Sequence, residues 1–518
     1  MIRQGHMEQG GSFPVWILIL ILFSLVGNVL ALSLIGILPD EAYYWVWSQR
    51  FELSYYDHPP LIAWMMWPFT FLFGNEAWAA RLPSVLSWIL GAVLAWQMAQ
   101  RIFGGHAGAL AVLVWSSLPI IQVGFHIITP DTPLMIFAWL SIWYAWRAGN
   151  ESSPALWAVT GVMAGLAMLA KYPAVLVIGA VFLALLTSRQ GRNQLVSPWP
   201  WLGVLIAGLV YLPVIIWNAQ YDWVSFAFQF SHGVKTAIEV DHLRLFSLFI
   251  GGQLVVAMPW TFLAMLISSS RLRFLSVHAN GYTVALLFWS FWLPLLVFGI
   301  AGLTSLSGPN WPITAYAAGT VLLAGSLNQW LRRGDAWRKS AVMAIVVVFV
   351  ATVLLVNLMR FPHWVTVLVG ENFTQKRTQL SQNYGWEKLR PELKKTFDAL
   401  PENCLILADN HARAGMLAWL LNEPKRVTTT RDSRYSQYDL WREKHEAAHI
   451  PCLYFAQYDH EFVPKSSIPD YVGLTEGRAE QVRLITAENP DLSLRWFVLF
   501  RFVNDESTSA NGKADPVP

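Results

Sequence analysis

Residues 38–61 read LPDEAYYWVWSQRFELSYYDHPPL and directly follow a long apolar segment. Asp40, Glu41, Asp57 and His58 stand there among six Tyr and Trp residues. Carboxylates at the mouth of a membrane helix are costly to desolvate, so an acidic pair in that place reads first as a functional site. The aromatic rings suit a membrane–water interface, where one edge stays wet and the other is buried. A solvated loop with an aromatic belt is the plainer alternative.

Composition carries this outward to the whole chain. Hydrophobic residues make up 55% and charged residues 13%, about half the charge of an ordinary soluble protein. Mean hydropathy is +0.41, and apolar runs near the length of a bilayer crossing recur along the sequence, the pattern of a polytopic α-helical membrane protein. The 28 Trp residues fit interfacial anchoring. A net charge of +3 supplies no basic field for nucleic acid. The first apolar run, 13–38, is too long for a signal sequence core and has no small-residue cleavage site, so it reads as a first span.

Hydropathy places about eleven spans, near 13–38, 78–100, 107–125, 132–147, 155–170, 173–188, 200–217, 245–268, 281–302, 311–330 and 341–360. The fifth and sixth are short and flank Lys171, as in a broken helix pair buried within protein. With the N-terminus cytoplasmic, one set of loops holds Arg3, Arg101, Arg147, Arg189, Arg192, Arg271, Arg273, Arg332, Arg333, Arg338 and Lys339. The opposite set holds Arg50 and Lys235, with Arg81, Lys171 and Arg244 at its edges. That bias puts the Asp40–His58 loop outside, together with everything beyond the eleventh span.

Residues 1–360 therefore form the membrane domain, and the character changes after it. From 361 to 503 charges become frequent and apolar runs shorten to strand length, as in CLILAD (404–409) and CLYFAQ (452–457), with helical stretches around 386–399 and 411–421. This predicts a small periplasmic α/β domain and, over 504–518, a polar disordered tail. Cys404 and Cys452, the only cysteines, each open a predicted strand. They are either a disulfide or two buried thiols.

Further polar residues sit at the external ends of other helices. HIITPDTP (126–133) sets Asp131 just before the fourth span, where Asp also suits helix capping. Lys171, in LAKYP, is a cation at a depth where a partner or bound anion is the rule. The loop 220–244 brings His232, Lys235, His242 and Arg244; LTSLSGPNWP (303–312) brings Asn310. Carboxylates and cations thus gather at one membrane face, which suits chemistry on a lipid-linked, anionic substrate. A carboxylate serves there as general base on an acceptor hydroxyl. Basic side chains, or a carboxylate-bound divalent ion, neutralise a departing phosphate. A transporter would place its ionisable groups near the midplane instead.

PDEAYYW after the first span, YYDHPPL some fifteen residues on, TPDTP before the fourth span and AKYP after the fifth resemble bacterial glycosyltransferase family 39 over about 330 residues. That family is related to protein O-mannosyltransferases and to the aminoarabinose transferases that modify lipid A. The resemblance implies the GT-C fold, a polyprenyl-phosphate sugar donor and work on the periplasmic face of the bacterial inner membrane. It implies Asp40 as catalytic base with Glu41 beside it, Asp131 as the second acidic position, and Lys171 as a basic residue near the donor. Tyr56-Asp57-His58-Pro59 aligns with an element that reads Glu-Lys-Pro in aminoarabinose transferases, so His58 here replaces a fixed positive charge. SGPNWP and RDSRYSQYDLW (431–441) look closest to the branch that decorates lipopolysaccharide, including galacturonosyl transferases.

The expected function is transfer of one sugar from undecaprenyl phosphate to a lipid or glycan such as lipid A or lipopolysaccharide core. Transfer to Ser or Thr of a protein is the alternative within the class, and a lipid-linked sugar flippase the alternative outside it. Asp40, Glu41 and Asp131 are the candidate catalytic residues. Tyr55, Tyr56, His58, Lys171, His232, Arg244 and Asn310 are candidates for donor binding. Asp57 is the candidate ligand for a divalent Mg, Mn or Zn ion.

Overall fold

The computed structural model describes residues 36–233, 241–271, 279–332, 336–358, 386–402, 404–430, 434–445, 450–458, 477–489 and 492–504, with single positions between 19 and 33. Most of the expected first span and the tail beyond Asn504 lie outside the described residues. Two compact units share the chain: Met1–Leu32, Glu52–Met65 and Arg81–Asn357 form the first, and Ser33–Phe51, Met66–Ala80 and Leu358–Pro518 the second.

In chain order the helices that matter here are α1 (Pro39–Ser48), α2 (Leu61–Phe73), α3 (Ala77–Phe103), α4 (Ala107–Ser117), α5 (Pro119–His126), α6 (Asp131–Glu151), α7 (Pro154–Ala170), α8 (Val175–Thr187) and α9 (Arg189–Leu195). They continue with α10 (Trp199–Gln220), α11 (Val224–Gly233), α12 (His242–Ala257), α13 (Pro259–Ser270), α14 (Gly281–Ala301), α15 (Ala315–Arg332), α16 (Ala336–Leu358), α17 (Arg390–Asp398), α18 (His411–Leu421) and α19 (Gln437–His445).

Among the described residues, α3, α10 and α14 are long and apolar enough to cross a membrane. Three bent pairs would each serve as one more span: α4 with α5 (68°), α8 with α9 (110°), and α12 with α13 (100°). Proline explains two of the bends. Pro119 and Pro259 each open a helix, and a residue before proline is pushed away from helical angles. Met258 takes φ +63°, a left-handed angle that turns the chain sharply there. The runs 107–125 and 245–268, read as single spans, are therefore each two helices. The break at Lys171 is present too: Lys171 is extended (φ −160°, ψ 139°) and a 3₁₀ turn, Tyr172–Ala174, leads into α8.

Within the first unit, α7 and α10 cross in direct backbone contact. A Cβ on Gly161 would lie 2.2 Å from the Gly203 carbonyl oxygen, and one on Gly165 2.9 Å from that of Ala207. Small residues at a helix crossing are the membrane solution to packing, because van der Waals contact replaces the hydrophobic drive that lipid removes. Beside this crossing α7, α8 and α10 line an apolar cleft of about 370 Å³.

The second unit carries a five-stranded mixed sheet. Strands β1 (Cys404–Ala408), β2 (Val427–Thr429), β3 (Ile450–Tyr458), β4 (Gly477–Asn489) and β5 (Leu492–Asn504) lie in the order β2-β1-β3-β5-β4. β1 pairs in parallel with β2 and β3, whereas β5 runs antiparallel to β3 and β4. The expected strands at 404–409 and 452–457 are β1 and the heart of β3, and the helix expected at 411–421 is α18. Cys404 is buried at the start of β1; the Cys452 side chain lies outside the described residues. The unit is completed from far upstream. A Cβ on Gly415 of α18 would lie 2.8 Å from the Tyr43 backbone nitrogen, so α1 rests on α18 at a glycine.

Candidate active site

In the first unit three residues separately expected at helix ends meet in one network. Lys171 Nζ donates to Asp131 Oδ1 at 2.8 Å, and Asn310 Nδ2 donates to Asp131 Oδ2 at 2.6 Å. The Asp131 and Lys171 side chains are 13% and 11% exposed, so this is a nearly desolvated ion pair. Local sequence sets each one up. Pro130 takes the N-cap position of α6, leaving Asp131 at the first helical residue with its carboxylate turned to its two donors. A carboxylate is also favoured there by the helix dipole. Lys171 sits where Pro173 ends the helical run, and Asn310 in the turn after α14. A small cavity of about 40 Å³ adjoins Asp131, lined by Ser84, Ser87, Thr129, Thr132 and Ile313 among others.

Helix α11 ties the YYDHPP loop to the same region. The Tyr172 hydroxyl, next to Lys171, lies 2.5 Å from Ser225 Oγ. One turn on, the Phe228 ring packs 4.7 Å from that of Tyr56, and Gln229 Nε2 donates to the Asp57 carbonyl at 2.6 Å. The loop closes on itself as well: Tyr55 N–H donates to the His58 carbonyl at 3.2 Å, and Glu52 N–H to the Tyr55 hydroxyl at 3.2 Å. Burial pushes the Tyr55 phenol above its ordinary pKa, with the Glu52 hydrogen bond opposing. His232 lies near the end of α11 with its side chain outside the described residues. Arg244 is exposed in the first turn of α12, its backbone N–H bonded to Asp241 Oδ1 at 2.9 Å. Among the described residues no hydrogen bond or ion pair is seen from its side chain to Asp131 or Lys171.

In the second unit the Asp-Glu pair divides its labour. Asp40 is exposed in the first turn of α1. Glu41 is buried, and its Oε2 accepts the Leu38 N–H at 2.8 Å, so it closes the start of the helix. The RDSRYSQYDLW segment holds this helix in place, with 431–433 outside the described residues. Gln437 N–H donates to the Tyr43 hydroxyl at 2.9 Å, Tyr438 stacks on the Tyr43 ring at 5.6 Å, and the His411 ring is 5.0 Å from it. Arg50 lies over Trp441 at 4.5 Å.

Sequence reasoning missed Tyr43, Tyr172, Ser225 and Gln229, ordinary polar or aromatic residues whose partners are distant in the chain. Among the described residues no group of three or more His, Cys, Asp or Glu side chains is gathered closely enough to hold a metal ion. The carboxylate of Asp131 is already occupied by two donors.

Residues 57–217 match the family described as dolichyl-phosphate-mannose-protein mannosyltransferase. The fold is that of ArnT from Cupriavidus metallidurans, with a TM-score of 0.62 for its apo structure over 94% of this chain and 98% of that one, at 16% identity. The structure of that ArnT bound to undecaprenyl phosphate gives 0.59 at 15% identity, with the same coverage. The chain thus has the GT-C fold. Its sequence relatives are more particular. It is 28% identical over 337 residues to the lipid A galacturonosyltransferase RgtD of Rhizobium johnstonii, across 64% of this chain and 68% of the relative. To the undecaprenyl phosphate-alpha-4-amino-4-deoxy-L-arabinose arabinosyl transferase of Pseudomonas paraeruginosa it is 26% identical over 343 residues, across 62% of this chain and 61% of the relative. The chain therefore spans roughly two thirds of the length of these relatives.

Proposed function

We propose that this protein transfers a sugar from undecaprenyl phosphate to a hydroxyl or phosphate of a lipid or glycan acceptor, of the lipid A or lipopolysaccharide core class. The reading places the active face and the second unit on the periplasmic side of the bacterial inner membrane, with about eleven membrane passages in all. The observation that carries it is a nearly buried cation, Lys171, held by Asp131 and Asn310 at the break between α7 and α8. The apolar cleft, with Ala164, Val175, Phe182 and Val204 in its lining, begins about one turn past that break and suits a lipid chain beneath an anionic head. The name of the Rhizobium relative favours a lipid A acceptor, and that of the Pseudomonas relative an undecaprenyl-phosphate-linked donor.

In this reading Lys171 faces the donor phosphate, and Tyr56 and the YYDHPP loop flank it with His58 and Asp57. Asp40 takes the proton of the acceptor hydroxyl. The acceptor oxygen then forms a bond to the anomeric carbon as the bond from that carbon to the phosphate oxygen breaks. Undecaprenyl phosphate leaves with both electrons of the broken bond, and the configuration inverts relative to the donor. A general base of this kind contributes about 10²–10⁴ in rate. Asp131 keeps Lys171 in place. The mannosyltransferase family match favours a protein acceptor as the second reading.

The test is to supply membranes with undecaprenyl-phosphate sugar labelled in the sugar. Label in lipid A or core, with release of undecaprenyl phosphate, is the expected result. Label in protein transfers the proposal to the second reading. Intact donor appearing on the opposite face, with no phosphate released, means a flippase and overturns it.

A further inference from the structure

Behind Asn310 lies a pair of fully buried polar side chains that the proposed chemistry does not use. Gln253 of α12 and Tyr316 of α15 are both 0% exposed. Gln253 Nε2 donates to the Pro309 carbonyl at 3.2 Å, and the Tyr316 hydroxyl donates to Gln253 Oε1 at 2.6 Å. Pro309 immediately precedes Asn310, whose amide reaches Asp131 Oδ2 at 2.6 Å. The chain of contacts runs from Tyr316 through Gln253 to the Pro309–Asn310 peptide, and from there through Asp131 to Lys171.

Each link has a physical reason. An amide side chain presents one donor end and one acceptor end, and the Pro309 carbonyl, which can only accept, takes the Nε2 end and leaves Oε1 to accept from the Tyr316 hydroxyl. Tyr316 thus holds the far end of the amide while its near end meets Pro309. The carbonyl it meets belongs to a residue with no N–H, so this turn has one fewer backbone donor with which to anchor itself. Its other sides are packed: a Cβ on Gly252 would come within 3.0 Å of Pro309 Cβ, and the Trp311 ring meets that of Phe298 at 5.6 Å. Two buried polar groups in an apolar helix bundle are costly unless both are satisfied. Here that cost is met by fixing the peptide that carries the Asp131 partner.

We infer that Gln253 and Tyr316 are positioning residues for donor binding, acting through Asn310 on the Asp131–Lys171 pair and touching no substrate themselves. The inference rests on the proposed role of Lys171 at the donor phosphate. Simple structural filling predicts a lower Tm for their variants with unchanged ligand affinity. Positioning predicts a change in affinity that runs through Asn310.

The experiment measures equilibrium binding of undecaprenyl phosphate to detergent-purified, monodisperse full-length protein. Gln253→Leu should weaken binding roughly 5- to 30-fold, and Asn310→Ala by a similar factor. The double variant should be no weaker than Asn310→Ala alone, since one residue acts through the other. Tyr316→Phe, which keeps the ring and so the packing, should weaken binding about threefold. A thermal-unfolding cycle of Gln253→Leu with Asp131→Asn should be non-additive, a readout that needs no ligand. Unchanged affinity in Gln253→Leu, beside a loss in Lys171→Ala, overturns the inference and leaves the functional reading standing. Multiplying losses in the Gln253→Leu/Asn310→Ala double variant also overturn it. Unchanged affinity in Lys171→Ala as well overturns both.

Discussion

Replacing Lys171 by alanine perturbs two things at once, and the geometry allows them to be separated. The first is the ion pair. With both side chains almost excluded from water and 2.8 Å between Nζ and Oδ1, removing the cation leaves Asp131 with Asn310 as its remaining described side-chain donor. Breaking a buried pair from one side typically costs about 3–5 kcal/mol; the surviving Asn310 bond brings the expected cost to the lower end of that range. The second is the donor phosphate. A charge-assisted hydrogen bond contributes about 1.5–3 kcal/mol, which is roughly a 10- to 150-fold loss of affinity. Lys171→Ala should therefore lower Tm and weaken undecaprenyl-phosphate binding together. A paired apolar replacement, Lys171→Met with Asp131→Leu, should recover much of the stability, because a buried ion pair is often matched by hydrophobic residues of similar volume. It should not recover binding. Lys171→Arg should recover binding only in part, since a planar guanidinium does not fit where a compact ammonium is held. The assay is thermal unfolding and ligand titration on the same monodisperse preparations. Binding within twofold of wild type in folded Lys171→Ala would refute the assignment of Lys171 to the donor.

The two carboxylates of the Asp-Glu pair should behave differently: Asp40→Asn should cut turnover about 10²–10⁴-fold at normal yield. Glu41→Gln, which still accepts the Leu38 N–H, should fold and keep most of its activity, and equal loss in both variants would contradict this division. Gly161→Ala places a methyl group against the Gly203 carbonyl with no rotamer to relieve it, so it should destabilise by about 1–3 kcal/mol, seen as a lower Tm in detergent. In the second unit burial pushes the Asp439 carboxyl up, with Arg442 and Ser436 opposing. The folded state then holds that proton better than the unfolded chain, so the site costs stability at neutral pH and the cost fades as pH falls. The Tm of wild type relative to Asp439→Asn should accordingly rise between pH 7 and pH 4. Single-cysteine reporters at Arg192 and Asn310 should label from opposite sides of sealed vesicles, Asn310 from the periplasm.

Much of the site was visible in sequence as chemistry out of place. Asp131, Lys171 and Asn310 each stood out as polar residues beside apolar runs, and each lies where the helix ends were drawn. Their meeting was not visible, because 40 and 179 residues separate Asp131 from its two partners and no local period records a contact of that range. Glu41 carried a legible signal that was read as chemistry alone: an acidic residue at the third helical position after a proline start also closes a helix. The bends at Pro119 and Pro259 lay inside runs apolar enough to pass for continuous spans, so hydropathy outweighed a proline that marked the break. Helix α2 fell below the span length and went unread. In the second unit β1, α18 and β3 follow the expected strand and helix periods, whereas the parallel pairing of β1 with β3 depends on a crossover that composition does not encode.

The dependence of the second unit on α1 has a consequence for how the protein is made. Tyr43 and Gln437 are 394 residues apart. At about 5–20 residues per second of synthesis, roughly 20–80 seconds pass between the emergence of one and of the other. Throughout that interval Trp45 and Trp47, which end fully buried, have no α18 to cover them and need the bilayer interface as a temporary shelter. A fragment beginning at residue 361 would lack α1 altogether and expose the face of α18 around Gly415. The sheet and its helices are thus not a detachable module: a later stretch of chain waits on one made 394 residues before it.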